Sequence, residues 1–136
     1  RMTKADLAAG AKLIIRERLL THGDQHAESG FVVNLNGEDS SANVISRSVA
    51  KNNSTQVFNA EINGNAKCAG HSECDAIIID HAKISAIPKI VANDIDAALI
   101  HEAAIGKIAG EQLIKLMTLG LTEQEAEAQI VNGFLK

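Results

Sequence analysis

The chain has 136 residues, with 13 basic and 17 acidic side chains giving a net charge of −4. That length suits one domain, or one domain with a short appendage, and an apolar content of 46 % excludes general disorder. Three Phe, no Tyr and no Trp, set against 21 Ala and 16 Ile, exclude a nucleic-acid binder that stacks bases on aromatic rings, and the acidic balance argues against a phosphate-gripping surface.

From the N-terminus, Arg1 ahead of Met2 reads as a cloning remnant or an excised fragment boundary, and no apolar run approaches the ~20 residues of a bilayer crossing. Lys4 to Leu20 is rich in the helix formers Ala, Leu, Arg and Glu. Yet its Leu7-Ala8-Ala9-Gly10-Ala11 core matches turns further along, so strand–turn–strand is expected. His22 to His26 reads as a polar turn. The pattern of aliphatic residue, turn and small residue returns at Leu35-Asn36-Gly37, at Ile62-Asn63-Gly64-Asn65-Ala66, at Ile79-Asp80-His81-Ala82 and, more weakly, at Ile95-Asp96-Ala97. Gly and Asn tolerate the left-handed backbone of such turns. Between them, Ala42 to Val49, Thr55 to Ile62 and the run Ile77-Ile78-Ile79 read as strands. Repeated turns, small residues and few aromatics favour a mainly β fold built as a parallel β-helix, or solenoid, over an antiparallel sheet of six or seven strands.

Near Glu102 the period changes. Ile105, Ile108, Ala109, Gln112, Leu113, Leu116 and Met117 recur at helical spacing, with Gly120 placed to stop the helix. Thr122-Glu123-Gln124-Glu125 then forms a capping box opening a second helix, whose buried face is expected at Ala126, Ile130, Gly133 and Phe134. The division is therefore 1–103 for the β-helix core and 104–136 for a helical hairpin. Ile114, Leu119 and Leu121 lie off the main stripe of the first helix, where they would close the end of the solenoid or dock a partner.

The polar residues that carry chemistry are Cys68, His71, Cys74, His81, His101 and Glu102. Cys68-x2-His71-x2-Cys74 offers three soft or borderline ligands within seven residues, suited to zinc or iron–sulfur chemistry. A closed zinc site needs a fourth ligand, however, and a packed thiol is the ordinary fate of a lone Cys. His101-Glu102 is more simply a packing or capping pair, its side chains facing opposite ways if extended. No nucleophile elbow, zincin helix or phosphate loop is present.

The run Gly70-His71-Ser72-Glu73-Cys74-Asp75-Ala76-Ile77-Ile78-Ile79-Asp80 resembles a G-H-x-E-C-D-x-x-I-x-D segment of the SufB/SufD family of iron–sulfur cluster assembly scaffolds. The resemblance continues through Ser85-Ala86-Ile87-Pro88, His101-Glu102-Ala103, Glu111-Gln112-Leu113, Leu119 to Ala126 and Ile130 to Phe134, and more weakly back through Ile45-Ser46-Arg47-Ser48-Val49 to about residue 30.

It implies a right-handed parallel β-helix followed by a helical domain, in a C-terminal portion whose N-terminal part is missing. It implies a non-enzymatic scaffold on which a transient Fe–S cluster forms, with Cys74, His101 and Glu102 as the candidate cluster ligands. A thiolate, an imidazole and a carboxylate make a labile set for a cluster that is handed on. A SufC-type ATPase would bind the helical domain through residues 105–136, a SufB/SufD paralogue or a second copy would pair through the β-helix, and the chain alone would form a homodimer in the cytoplasm. The resemblance carries no ligand role to Cys68 or His71. The alternatives are a small metal-binding or redox module using Cys68, His71 and Cys74, and a purely structural solenoid.

Overall fold

The computed structural model describes residues 1–136. Eight strands precede two helices: β1 (Met2–Leu7), β2 (Lys12–Thr21), β3 (His26–Leu35), β4 (Ser40–Ala50), β5 (Thr55–Gly64), β6 (Cys68–Ile78), β7 (Lys83–Ala92), β8 (Ala97–Lys107), α1 (Gly110–Thr118) and α2 (Glu123–Leu135). Odd and even strands form two separate four-stranded sheets, in the orders β1-β3-β5-β7 and β2-β4-β6-β8. Every pairing is parallel, as it must be when each strand recurs one coil later. Four coils, two strands each, make a β-solenoid.

Alternation sorts the side chains. In β2 every second residue is inward and half-buried, ending at the buried Thr21. The aliphatic ladders expected of a narrow solenoid lie in one half of the interior: Ala5, Val33 and Ile62 stack in one register, Leu13 and Ala42 in another, and Leu35, Val33, Val44 and Ile62 are at most 1 % exposed. At the other end the interior turns polar. Gln56 donates to Thr21 Oγ1 (2.9 Å) and to the Val49 carbonyl (3.0 Å), and Thr21 shares a 2.9 Å hydrogen bond with Ser54. These contacts meet the cost of burying polar groups.

The corners hold the coils in register. At one, Asn93 donates to Asn65 and Asn65 to Asn36, each at 2.7 Å. Gly37 sits where a Cβ would collide with the backbone of Ala8 and Ala9 in the preceding coil, so only glycine permits the close stacking of those two turns. These contacts correct the turn assignments. Asn65, not Asn63, is the counterpart of Asn36, and Asn63-Gly64 ends β5. Ile79-Asp80-His81-Ala82 turns at the opposite corner, where Asp80 and Asn52 share positive φ and their side chains meet at 3.2 Å.

The helical end departs further from expectation. Residues 104–107 remain strand, because β8 pairs with β6 through Lys107 opposite Ile78; sheet pairing outweighs the helical spacing of Ile105, and α1 begins only at Gly110. Gly120 stops α1 with a φ of +95°. Thr122 and Glu125 form the reciprocal capping box, with hydrogen bonds of 3.2 and 2.8 Å. The buried residues of α2 are Ala126 and Val131. Gly133 is exposed, because the helix leans on Val49 and Ile79 with Val131, Phe134 and Leu135. A 2.8 Å ion pair between Lys51 and Glu127 fixes it to the same corner. The hairpin thus flanks the solenoid. Leu119 is 79 % and Ile114 62 % exposed, so neither closes its end.

Candidate functional site

Strand β6 carries the chemistry. Its alternation puts Cys68, Gly70, Ser72, Cys74 and Ala76 inward and His71, Glu73 and Asp75 outward. Cys68 and Cys74 are therefore six residues apart along one extended strand, roughly 20 Å at ~3.3 Å per residue, and His71 projects through the opposite face. These three cannot converge on one ion, so the metal or redox module built on Cys68, His71 and Cys74 is excluded. Both thiols are free.

Inside the solenoid, Cys74 continues the ladder Glu17, Ser46, Cys74, Ala103. Glu17 accepts hydrogen bonds from Ser29 (2.7 Å) and Ser46 (2.9 Å), which satisfy its inward carboxylate. Cys74 is 1 % exposed. Burial, with the negative charges of Asp75 and Glu17 adding to it, pushes its thiol up to about 11. The neighbouring ladder runs Ile15, Val44, Ser72, His101. Ser72 Oγ and His101 Nδ1 are both buried without a hydrogen-bond partner, although buried polar atoms nearly always have one. His101 lies opposite Ser72, one step diagonal from Cys74, which sheet spacing puts at roughly 8 Å between Cα atoms. One thiol, one imidazole and one hydroxyl thus occupy neighbouring inward positions of the β6–β8 ladder.

Glu102 is elsewhere. It alternates outward from His101 and lies opposite Glu73 across the β6–β8 ladder. There it meets His71: Nε2 stands 2.9 Å from Glu102 Oε2, while Nδ1 stands 2.9 Å from Asn43 Oδ1 on β4. The His71 and Glu73 side chains and that of Glu102 bring one ligand atom each within 4.8 Å of one another. A hydrogen bond with Asp75, then burial, raises the Glu73 carboxyl above its ordinary value, against lowering by His71 and Arg47. Spacing alone groups His71 with the cysteines and hides the outer cluster. The signal that finds it is the coil period: Glu73 and Glu102 occupy equivalent positions in successive coils.

Two helices and the outer strands leave further apolar residues exposed. Ile100 is 57 %, Ile105 41 % and Met117 42 % exposed, alongside Ile114 and Leu119. Helix α1 buries no residue despite its apolar stripe. No helix is long and apolar enough to cross a membrane.

The chain matches known proteins over nearly its whole length. Residues 3–134 match the family model described as SUF system FeS cluster assembly, SufBD core domain. An iron-sulfur cluster assembly SufBD family protein of Methanothermobacter thermautotrophicus is 35 % identical over 127 residues, 92 % of this chain and 31 % of that protein. One from Methanocaldococcus jannaschii is 41 % identical over 105 residues, covering 76 % and 33 %. One from Mycobacterium tuberculosis is 32 % identical over 117 residues, covering 83 % and 14 %. The chain spans about a third of the length of these archaeal relatives. With a match that runs through the whole solenoid and both helices, the chain belongs to the SufBD family of iron–sulfur cluster assembly proteins.

Proposed function

We propose that this chain is the scaffold portion of a cytoplasmic cluster-assembly subunit, without catalysis of its own. A nascent Fe–S cluster is its cargo, with Cys74, His101 and Glu102 as the ligands. The observation that carries this reading is the pair of unpartnered polar atoms, Ser72 Oγ and His101 Nδ1, buried beside the Cys74 thiol. Unsatisfied donors and acceptors around a protonated thiol suit a site at rest, which gains its partners when a cluster or its sulfur arrives.

The sheet sets a condition on that chemistry. Cys74 and His101 face inward and Glu102 outward, so ligation of one cluster by all three needs β8 to part from β6. Strand β8 is an edge of its sheet, so it can part from β6 without breaking a second ladder. An ATPase of the SufC type, held by the exposed apolar side of residues 105–136, would supply the force, and pairing through the β-helix with a paralogue or a second copy would complete the site.

Anaerobic reconstitution of the full-length protein with its ATPase tests the ligands. Cys74→Ser is expected to lose most of the cluster yield, and unchanged yield removes Cys74 from the site. Leu119→Asp with Ile114→Asp is expected to abolish co-purification of the ATPase; retained association places the docking surface elsewhere.

A further inference from the structure

The outer face of the same sheet carries a second cluster that shares only Glu102 with the cluster-ligand reading. His71 and Glu73 project from β6, Glu102 from β8 and Asn43 from β4, all on the side away from Cys74. We propose that His71, Glu73 and Glu102 form a mononuclear site for a divalent transition cation, held in place by Asn43. One imidazole and two carboxylates are the donor set of non-thiolate Fe(II), Mn(II) and Zn(II) centres.

Three observations carry the assignment. The ligand atoms of the three residues lie within 4.8 Å of one another. Bonds of ~2.1 Å place tetrahedral ligands roughly 3.4 Å apart; His71 and Glu102 already lie within that spacing, and a side-chain adjustment that brings Glu73 to them would close the site. Second, the His71 ring is oriented from outside the cluster. Asn43 Oδ1 only accepts, so Nδ1 donates to it at 2.9 Å; this is the arrangement by which metal-bound histidines are held and their second nitrogen aimed. Third, Nε2 stands 2.9 Å from Glu102 Oε2, so two of the three ligand atoms already face each other. A cation between them would hold both groups and reach Glu73 as its third ligand.

Under the cluster-assembly reading, on which this identification of the cation rests, the ion is ferrous iron. It is held across one sheet thickness from the thiol and released to the cluster when β8 moves. The metal site itself stands or falls separately from that role.

Cobalt(II) titration of the chain provides the test, read by calorimetry and visible absorption. Binding of one equivalent with nitrogen and oxygen ligation, and no thiolate-to-cobalt charge-transfer band, is expected. His71→Ala and Glu73→Gln should each weaken it about tenfold or more, as should Asn43→Ala, a loss of the size seen for outer-sphere partners. Cys74→Ser and the distant Asp96→Asn should bind as the parent does. Absence of stoichiometric binding overturns the site, as does a thiolate band lost in Cys74→Ser, or equal weakening by Asp96→Asn. If cobalt binds as expected while Cys74→Ser leaves full-length cluster yield unchanged, the metal site holds and the cluster-ligand reading fails.

Discussion

Cys74 should be a conspicuously unreactive thiol as long as the solenoid stays closed. Raising its pKa from the ordinary 9.0 to about 11 leaves roughly one thiol in ten thousand ionised at pH 7, against about one in a hundred otherwise, a ~100-fold deficit of the nucleophilic form. Exclusion of reagent from a side chain 1 % exposed adds to it. Timed alkylation with iodoacetamide, followed by peptide mass spectrometry, reads this at Cys74 separately from Cys68. The native protein should label at Cys74 at least ~100-fold more slowly than the urea-unfolded chain. Labelling within about tenfold of the unfolded rate would refute the closed, desolvated site. The same shift makes stability depend on pH. Below pH 9.0 folded and unfolded chains both hold the Cys74 proton. Above it the unfolded chain releases the proton first, so stability falls until the folded thiol titrates near 11. Two units correspond to about 2.7 kcal/mol. Urea unfolding at pH 8 to 11 should show Cys74→Ala losing less stability than the parent by up to about that amount. Parallel declines would show that the thiol does not carry the shift.

Two further changes probe the solenoid that holds the site. Gly37→Ala, which sets a Cβ against the backbone of Ala8 and Ala9, should cost about 1–3 kcal/mol or more in urea unfolding; a neutral result would mean the two turns are not in close contact. Ile62→Ala removes a side chain 1 % exposed from the aliphatic ladder and should cost about 2–5 kcal/mol, whereas the 57 % exposed Ile100→Ala should change little, with equal losses at both positions counting against the assigned faces.

What could be read from residues alone depended on whether the cause was local. The capping box at Thr122 and the stop at Gly120 are local, and both are present as expected. The β1–turn–β2 segment was legible in spite of its helix-forming composition, because its turn repeats later in the chain. Local pattern places the turn copy two residues early, at Asn63-Gly64, since the ladder that identifies Asn65 exists only between coils. Ile105 kept its helical spacing but lost to pairing with Ala76 of β6. At the site, the residue types were legible and their sides were not. Cys68, His71 and Cys74 look like a ligand triplet until an extended strand separates them, and His71 finds Glu102 only through the register of β6 against β8.

That register gives the turn at Asn93–Asp96 a role beyond connection. Successive residues of a strand face opposite ways, so a strand slipped by one position exchanges its two faces completely. Losing a single residue from this turn, with β8 drawn back to fill the gap, would send Glu102 into the interior beside Cys74 and turn His101 out towards His71. The separation of thiol chemistry from carboxylate chemistry is therefore stored as an odd-or-even count of residues between Ala92 and Ala97. Substitutions within that turn are neutral to this count, whereas a single insertion or deletion inverts it.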